Sequence, residues 1–232
     1  MTTPDDLTAV PAAGRQRAMC GSAMLKYFYG PMDCGKSTLA LQLDHNRSKE
    51  GQRGLLLTRY DRSARPQISS RIGITKSAIE VDDDTDLAEL VRASWAQGRR
   101  VDYLIIDEAQ FFTGAQVEQM AQLADDAQVD VYAFGIATDF RGRMFPGSQR
   151  LFELADEAVQ LQVEVLCWCG RTGRFNTRVV DGVVVKEGAQ VVVADTDSGA
   201  VEAAVHYKVL CRRHHRLGDL GPSAGDGTLP LD

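Results

Sequence analysis

Short apolar runs alternate with longer amphipathic segments through the middle of the chain. The apolar runs are typical of strands buried in a parallel sheet, and they cover residues 25–29, 54–60, 101–106, 129–136 and 158–165. Between them, apolar residues spaced for one helical face predict helices over 85–96 and 114–127, and two further helices are predicted over 37–50 and 148–155. Because strand and helix alternate, we expect an α/β fold in which helices cover both faces of a mostly parallel sheet.

The pattern changes towards both ends of the chain. Residues 1–23 and 217–232 are rich in small residues, Pro and Gly and poor in large apolar side chains, which predicts a disordered leader and a disordered tail. Residues 24–165 carry the alternating pattern and form the predicted α/β domain. Residues 166–216 have a different, β-like character and are predicted to form a small separate domain. Its predicted strands cover 178–186 and 190–193, around a turn at Asp181-Gly182.

Composition excludes several classes of protein. With 232 residues, 44% of them hydrophobic, the chain can bury a full core. Its net charge of −6 offers no general attraction to nucleic acid, and no apolar run approaches the ~20 residues of a membrane-spanning helix. The N-terminus also lacks the apolar core of an export signal. We therefore expect a cytoplasmic protein without a nucleic-acid or membrane partner.

Residues 30–37 match the spacing of a phosphate-binding P-loop, G-x-x-x-x-G-K-S. A predicted strand precedes this motif and a predicted helix follows it, as a P-loop requires. Gly30 and Gly35 let the backbone curl so that its N–H groups face the phosphates of a nucleotide. Lys36 supplies a charge for the β- and γ-phosphates of ATP, and Ser37 supplies a hydroxyl for Mg²⁺. The predicted ATP-binding loop also contains Pro31, Met32, Asp33 and Cys34.

Further candidate site residues follow the predicted apolar strands. Asp107 and Glu108 come directly after one strand, where a P-loop protein has the carboxylate that holds the water shell of Mg²⁺. The loop at 137–146 follows the next apolar strand, at the edge of the sheet where open α/β folds bind their ligands. A polar stretch with several arginines, 61–76, predicts a long loop beside the phosphate site.

Cysteine and histidine residues near the C-terminus have a spacing that favours a metal site. Five cysteines in a chain without an export signal argue against a disulfide framework. Cys167 and Cys169, followed by Cys211 and His214, supply three thiolates and an imidazole, a tetrahedral set that suits a structural Zn²⁺. Buried thiols without a metal are the alternative. His215 is a second candidate for the fourth ligand.

Several separated motifs together resemble the small, tetrameric type of thymidine kinase found in many bacteria and in the animal cytosol. The resemblance extends from about residue 24 to residue 215 and implies a RecA-like P-loop NTPase domain with a small zinc-binding lasso domain. It rests on Gly30-Pro31-Met32, Ile72-Gly73, Asp107-Glu108-Ala109-Gln110-Phe111-Phe112, Thr138-Asp139-Phe140-Arg141-Gly142 with Phe145, and the Cys-x-Cys and Cys-x-x-His pairs.

The resemblance implies transfer of the γ-phosphate of ATP to the 5′-hydroxyl of thymidine, and of deoxyuridine, in nucleotide salvage. As in that family, we expect Glu108 to be the general base for the hydroxyl proton, next to Asp107 on the Mg²⁺ side. Arg65 matches a family arginine near the phosphates. The residues that match walls of the family's thymidine pocket are Met32, Phe111, Ile136, Phe140, Phe145 and Tyr207.

The resemblance also implies a homotetramer and feedback binding of thymidine triphosphate. In the family, the segment between the zinc-ligand pairs is a lasso that closes over the thymine and binds it largely through backbone groups. Here residues 187–210 depart from the family pattern, because a longer Ala- and Val-containing stretch replaces an Ile/Val-Gly-Gly run. Asp33 is a second departure, since an acid inside the P-loop opposes the binding of anions.

Two other classes of function stay open from the sequence. Asp107-Glu108-Ala109-Gln110 also resembles the D-E-A-x box of RecA- or helicase-type ATP hydrolases, in which Glu activates water. Such a motor requires a nucleic-acid track and usually a second ATP-binding half, and neither is evident in this acidic chain. A nucleotide-sensing or zinc-stabilised assembly module would keep the P-loop but would make Glu108 dispensable.

Overall fold

The computed structural model describes residues 22–60, 66–161, 163–188, 190 and 205–222, which form two compact units. Unit 1 contains the described residues up to Gly30, then Gly35–Ala137 and Phe145–Leu161. Unit 2 contains Pro31–Cys34, Thr138–Met144 and the described residues from 163 onwards. Arg65 lies outside the described residues. The sequence-based division into a leader, two domains and a tail stays a prediction.

Unit 1 is built on a parallel sheet. Its strands are β1 (Leu25–Tyr29), β2 (Gly54–Thr58), β3 (Gln67–Ser69), β4 (Thr75–Ser77), β5 (Ile79–Glu80), β6 (Tyr103–Ile106), β7 (Asp130–Gly135) and β8 (Glu157–Gln160). Among the described residues, six of them form one sheet in the order β5-β2-β6-β7-β1-β8, and every neighbouring pair is parallel. The predicted α/β fold is confirmed. The last predicted strand, 158–165, ends earlier than expected, at Gln160.

The α-helices of unit 1 lie close to the positions predicted from the sequence. They are α1 (Lys36–Lys49), α2 (Leu87–Ala96), α3 (Gly114–Asp125) and α4 (Pro146–Leu154). Asp86 caps α2 by accepting a hydrogen bond from the backbone N–H of Glu89, and Thr113 caps α3 in a reciprocal capping box with Gln116. A short 3₁₀ helix, Ala109–Phe111, follows β6. No helix in the described part of the chain is both long and apolar enough to cross a membrane.

Alternate side chains of the central strands enter two separate hydrophobic cores. In β6, Leu104 and Ile106 belong to one core, whereas Tyr103 and Ile105 belong to the other. Side chains of α2 and α3 complete the first core, and side chains of α1 complete the second. The sheet is therefore buried on both faces, which explains why its strands are continuous apolar runs in the sequence.

The stretch at 61–76, which we predicted to be a loop, contains a short hairpin. β3 pairs with β4 in antiparallel fashion, and Ser70 closes the turn through hydrogen bonds from its backbone and its hydroxyl to Ile74. Strands this short offer too few positions for alternation to stand out in the sequence. Residues 61–65 lie outside the described part.

Unit 2 contains an antiparallel sheet and a short helix. Its elements are β9 (Phe175–Val180), β10 (Val183–Val184), β11 (Val205–Leu210) and α5 (Arg212–Leu217). β9 pairs with both β10 and β11. The turn predicted at Asp181 and Gly182, whose φ angles are 49° and 76°, lies between β9 and β10. We did not predict β11 or α5, and residues 191–193 of the second predicted strand lie outside the described residues.

Gly147, in the first turn of α4, provides a test of the packing around the 3₁₀ helix. A Cβ atom at Gly147 would lie 2.9 Å from the carbonyl oxygens of Ala109 and Gln110, and closer still to that of Phe112. Backbone oxygens cannot move aside as a flexible side chain can. We therefore expect Gly147→Ala to lower the free energy of unfolding by about 1–3 kcal/mol, the usual cost of overpacking, as measured by urea titration.

Gly114→Ala is the matched control, because Gly114 also lies in the first turn of a helix but an added Cβ would meet nothing within 4 Å. Its stability should be equal to or higher than that of the parent chain, by up to about 1 kcal/mol. Equal stability of both alanine variants would contradict the packing described for α4.

Candidate active site

The P-loop begins and ends in unit 1, between β1 and α1. Gly30 donates its backbone N–H to the carbonyl oxygen of Gly135 over 3.4 Å. Gly35 precedes α1 with a φ of 81°, a conformation that favours glycine. The ammonium of Lys36 lies 3.3 Å from the carbonyl oxygen of Gly30, so this side chain folds back along its own loop. Lys36 and the start of α1 provide the positive potential that attracts phosphate groups.

Ser37 and Asp107 meet at the carboxyl edge of the sheet. The Ser37 hydroxyl donates to Oδ2 of Asp107 over 3.0 Å, and the backbone N–H of Asp107 donates to the carbonyl oxygen of Leu57 over 2.9 Å. Asp107 is buried, with 5% of its surface exposed. A hydroxyl and a carboxylate this close are hard oxygen donors of the kind that Mg²⁺ prefers. The structure thus brings together the two residues that the sequence suggested for a Mg²⁺ site.

Burial has a direct electrostatic consequence at Asp107. It raises the pKa of this carboxyl from its usual 3.8 to about 7, and the negative charge of Glu108 adds to the rise. Hydrogen bonds from Ser37 and from the backbone of Glu108, together with the charge of Lys36, oppose the rise. Near neutral pH the carboxyl of Asp107 is therefore divided between its charged and neutral forms.

Glu108 leaves β6 in a left-handed conformation, with φ 52° and ψ 38°. Its backbone N–H donates to Oδ1 of Asp107 over 3.1 Å, and its carbonyl oxygen accepts the N–H of Phe111 over 3.0 Å. Its carboxylate accepts a hydrogen bond from the side-chain amide of Gln110. Non-glycine residues rarely adopt this conformation, and those that do cluster at functional sites. We call residues 107–111 the acidic turn.

Phe111, the last residue of the acidic turn, packs against two other aromatic side chains of unit 1. Phe111 makes edge-to-face contacts with Phe145, at a centroid distance of 5.5 Å, and with Tyr60, at 5.1 Å. Ile136 follows β7, and its backbone N–H donates to the side chain of Gln110 over 3.0 Å. Of the predicted pocket residues, unit 1 therefore brings Phe111 and Phe145 into contact. Sequence reasoning missed Tyr60 and Gln110 as neighbours of the site, because Tyr60 belongs to no motif and Gln110 lies inside the motif at 107–112 without an assigned role.

Unit 2 contains the other predicted pocket residues, Met32, Phe140 and Tyr207. Arg178 links the last two, since its guanidinium carbon lies 3.7 Å from the centroid of the Phe140 ring and its Nε donates to the Tyr207 hydroxyl over 3.0 Å. The backbone N–H of Met32 donates to the side chain of Asn176 over 2.7 Å. Arg178 and Asn176 are buried. Their only sequence signal is the polar run Asn176-Thr177-Arg178 before the apolar residues Val179 and Val180.

Asp139 organises the loop Thr138–Met144 of unit 2. Its carboxylate accepts hydrogen bonds from the backbone N–H groups of Arg141 and Arg143, over 2.9 and 3.0 Å, and pairs with the Arg141 guanidinium over 2.6 Å. The side chain of Gln190 donates to the same carboxylate over 3.2 Å. The carboxylate of Asp139 is fully enclosed, so these charged and amide donors are needed to offset its burial.

A cluster of thiols and one imidazole in unit 2 has the dimensions of a metal site. Its members are Cys167, Cys169, Cys211 and His214, whose ligand atoms all lie within 4.8 Å of one another. A tetrahedral zinc site separates its sulfur ligands by roughly 3.8 Å, so the cluster fits such an ion. Trp168 stacks on the ring of His214. His215 instead stacks on Phe175 and bonds to the Thr177 hydroxyl over 2.8 Å, so the structure favours His214 as the fourth ligand.

Comparison with known proteins gives a consistent family. The family model described as thymidine kinase matches residues 23–215. A thymidine kinase of Streptomyces coelicolor is 56% identical over 208 residues, which cover 90% of this chain and 95% of that protein. A thymidine kinase of Cutibacterium acnes is 49% identical over 214 residues, which cover 90% and 98% of the two chains. A thymidine kinase of Legionella pneumophila strain Lens is 36% identical, with coverage of 86% and 92%.

Among solved structures, the Pif1 helicase of Candida albicans aligns with 69% of this chain and 40% of its own chain. The TM-score is 0.36 and the sequence identity is 15%. This likeness is too low to carry an argument about fold or function.

The raised pKa of Asp107 predicts how the stability of the metal-free chain depends on pH. Because the folded state holds the proton up to about pH 7 and the unfolded state releases it near pH 3.8, the stability that this carboxyl contributes falls as pH rises through that window. Asp107→Asn removes the titrating group. We expect its melting temperature, relative to the parent chain, to rise between pH 5 and pH 8 when measured in EDTA without nucleotide.

The exposed residue Asp84 offers a control for the simple loss of one negative charge. Asp84→Asn should change the melting temperature by the same small amount at every pH in this range. A difference between the Asp107→Asn variant and the parent chain that stays constant from pH 5 to pH 8 would show that burial of the charged carboxyl carries no cost.

Proposed function

The chain belongs to the thymidine kinase family, and from this membership we propose how it transfers the γ-phosphate of ATP to the 5′-hydroxyl of thymidine. The observation that carries the proposal is the acidic turn of unit 1, in which Glu108 follows the hydrogen-bonded pair of Ser37 and Asp107. Phosphoryl transfer depends on positioning and on neutralisation of charge more than on covalent chemistry. It also needs an acceptor for the proton of the attacking hydroxyl.

Residues 30–37 bind the phosphates of ATP in this proposal. Their backbone N–H groups hold the phosphate oxygens, and Lys36 supplies the charge for the β- and γ-phosphates. The position of Lys36 at the start of α1 supports this role, because the N-terminal end of a helix also attracts anions. Asp33 is the acid in this loop that opposes anion binding. The proposed contact of Arg65 with the phosphates rests on the family match alone.

Ser37 and Asp107 are the residues that would hold Mg²⁺. The support is their hydroxyl and carboxylate oxygens, which lie 3.0 Å apart, one in the first turn of α1 and the other directly after β6. When bound, the ion neutralises charge on the β- and γ-phosphates of ATP. A nearby cation also favours the charged form of Asp107, which is the form that interacts with the ion.

Glu108 is the proposed general base. It takes the proton from the 5′-hydroxyl of thymidine as that oxygen attacks the γ-phosphorus, and the bond from phosphorus to the departing ADP oxygen breaks. Its unusual backbone conformation and its hydrogen bond from Gln110 support a specialised role. Apolar walls suit a thymine ring with its methyl group. The proposed walls are Met32, Phe111, Ile136, Phe140, Phe145 and Tyr207.

Cys167, Cys169, Cys211 and His214 are proposed to bind a structural Zn²⁺. Three sulfur atoms and one imidazole nitrogen form a complete tetrahedral set, so no position stays open for substrate. The hydrophobic core nearby is small, since the buried apolar cluster around the site consists of Cys167, Leu210 and Cys211 with Leu220 packed against it. A metal would therefore contribute much of the stability of this region.

Three further properties are proposed from family membership. The chain acts as a homotetramer, it binds thymidine triphosphate as a feedback inhibitor, and it works in the cytoplasm. Thymidine triphosphate carries both a thymine and a triphosphate, so a site for thymidine beside a site for ATP has affinity for both of its parts. Deoxyuridine is a second proposed acceptor, because it differs from thymidine by one methyl group.

A helicase-type ATP hydrolase is the disfavoured alternative. The family match extends over residues 23–215 and includes the Cys and His residues of unit 2. A motor that moves along nucleic acid requires a basic binding track, whereas this chain has a net charge of −6. The D-E-A-Q sequence of the acidic turn is therefore explained by phosphoryl transfer to a small acceptor.

The direct test follows labelled γ-phosphate from ATP and Mg²⁺ to thymidine, deoxyuridine, deoxycytidine or no acceptor. We expect labelled thymidine monophosphate from the parent chain. Because Glu108→Gln removes the proton acceptor, it should lower kcat about 10²- to 10⁴-fold. Glu118→Gln, which alters an exposed carboxylate of α3, is the control and should retain full activity.

Each part of this proposal has its own contradicting result. Release of free phosphate at the same rate with every nucleoside and with none would overturn the kinase assignment. Full transfer to thymidine by Glu108→Gln would leave the kinase assignment intact but would overturn the role of Glu108 as general base.

The metal proposal predicts a single zinc ion per purified chain, measured by inductively coupled plasma mass spectrometry. Cys211→Ser removes a soft ligand and should lose the zinc and lower the melting temperature. Cys34→Ser is the matched control, because Cys34 is also a buried thiol but lies outside the ligand cluster. Retention of zinc by Cys211→Ser, or loss from both variants, would contradict the proposed ligand set.

A further inference from the structure

Gln110 is a buried glutamine in the acidic turn to which neither the sequence nor the family assignment above gives a role. Only 2% of its surface is exposed. Its Nε2 donates to Oε2 of Glu108, and its Oε1 accepts the backbone N–H of Ile136 over 3.0 Å. Both ends of one side-chain amide are therefore engaged, one with the proposed base and one with the main chain.

The chemistry of the two partners determines how this amide is oriented. The backbone N–H of Ile136 can only donate a hydrogen bond, so it must face the amide oxygen. A charged carboxylate can only accept, so Glu108 must face the amide nitrogen. Rotation of the amide by 180° would break both hydrogen bonds and place two oxygens against each other. The orientation is consequently unambiguous.

Gln110 thus forms a bridge between Glu108 and Ile136, and the Ile136 end of this bridge is rigid. The carbonyl oxygen of Ile136 accepts hydrogen bonds from the hydroxyls of Tyr27 and Ser148, over 3.2 and 2.7 Å. The close approach of Gln110 also depends on Gly135, because a Cβ atom there would lie 2.7 Å from Oε1 of Gln110. The end of β7 is therefore held by the sheet and by α4, and Gln110 transfers that rigidity to the acidic turn.

Glu108 needs such support because it stands beyond the last residue of β6, in a left-handed conformation. We propose that Gln110 is a positioning residue that holds the carboxylate of Glu108 in a fixed position relative to the end of β7. The inference rests on the proposed role of Glu108 as general base. Holding a reacting group within a few tenths of an ångström matters because a displacement of about 1 Å can cost 10²-fold in rate.

A buried glutamine can also serve only the fold, and the chain contains an example. Gln116 is 2% exposed, and its amide donates to the backbone oxygens of Asp82 and Thr85 while it completes the cap of α3. None of these partners belongs to the acidic turn. The guanidinium of Arg59 also donates to the amide oxygen of Gln116, over 3.4 Å. Gln116 is therefore a control for the replacement of a buried glutamine of unit 1 by glutamate away from Glu108.

Gln110→Glu removes one of the two hydrogen bonds of Gln110 and keeps the other. The new carboxylate is nearly the same size and still accepts the N–H of Ile136, but it cannot donate to Glu108 and it repels its charge. We expect kcat for transfer from ATP to thymidine to fall about 10- to 100-fold, with both Michaelis constants changed less than twofold. Gln116→Glu should keep kcat within twofold. Circular dichroism and melting temperature confirm that each variant is folded.

A second variant acts on the same bridge without a new charge. Gly135→Ala displaces Oε1 of Gln110 and should likewise lower kcat with unchanged Michaelis constants. A kcat within twofold of the parent chain for both Gln110→Glu and Gly135→Ala would overturn the proposal, as would a parallel rise of both Michaelis constants.

A double-mutant cycle with Glu108→Gln distinguishes positioning of Glu108 from any other effect. If Gln110 acts through Glu108, adding Gln110→Glu to the Glu108→Gln variant should lower residual transfer less than twofold. A full 10- to 100-fold further loss would show that Gln110 acts independently of Glu108 and would overturn the inference. Full activity of Glu108→Gln alone would identify a different failure, that of the proposed base itself.

Discussion

The parallel alignment of β6, β7 and β1 is the constraint on which the rest of unit 1 depends. β7 pairs with both neighbours, and the register aligns Ile106 with Ala133 and Tyr29 with Gly135. The three strands therefore release the chain at one edge of the sheet, where the P-loop and the acidic turn follow. Two hydrophobic cores maintain the register, because a slip of one residue would exchange the side chains of the two faces.

The two carboxyl groups at this edge, those of Asp107 and Glu108, have different electrostatic surroundings. Burial and the charge of Glu108 favour the neutral form of Asp107, whereas Ser37 and Lys36 favour its charged form. A buried acid with this balance responds strongly to any cation that arrives beside it. Glu108 has a different environment, since a neutral amide donor, Gln110, faces its carboxylate. The different surroundings of these two adjacent residues suit the different roles proposed for them, Asp107 beside Mg²⁺ and Glu108 as the proton acceptor.

Buried polar interactions are prominent in unit 2, where the apolar cluster beside the thiols is small. Arg178 is buried against the Phe140 ring and donates a hydrogen bond to the Tyr207 hydroxyl. The carboxylate of Asp139 accepts hydrogen bonds from donors in its own loop. Such networks are stable only when every charged group has partners. They also hold aromatic side chains in place. This explains how aromatic rings have defined positions in a segment with few large apolar residues.

The sequence by itself determined the alternation of the main strands and helices of unit 1, the P-loop motif and the acidic residues that follow β6, because these features depend on local patterns and on short motifs. Tertiary structure alone decided the contacts between distant residues: Ser37 with Asp107, Gln110 with Ile136, and Arg178 with Tyr207. It also favoured His214 over His215 in the thiol cluster and revealed the β3–β4 hairpin and β11. Hydrophobic periodicity reports which side of an element is buried, but the partner of a buried polar group depends on strand order and register, which no short stretch of sequence contains.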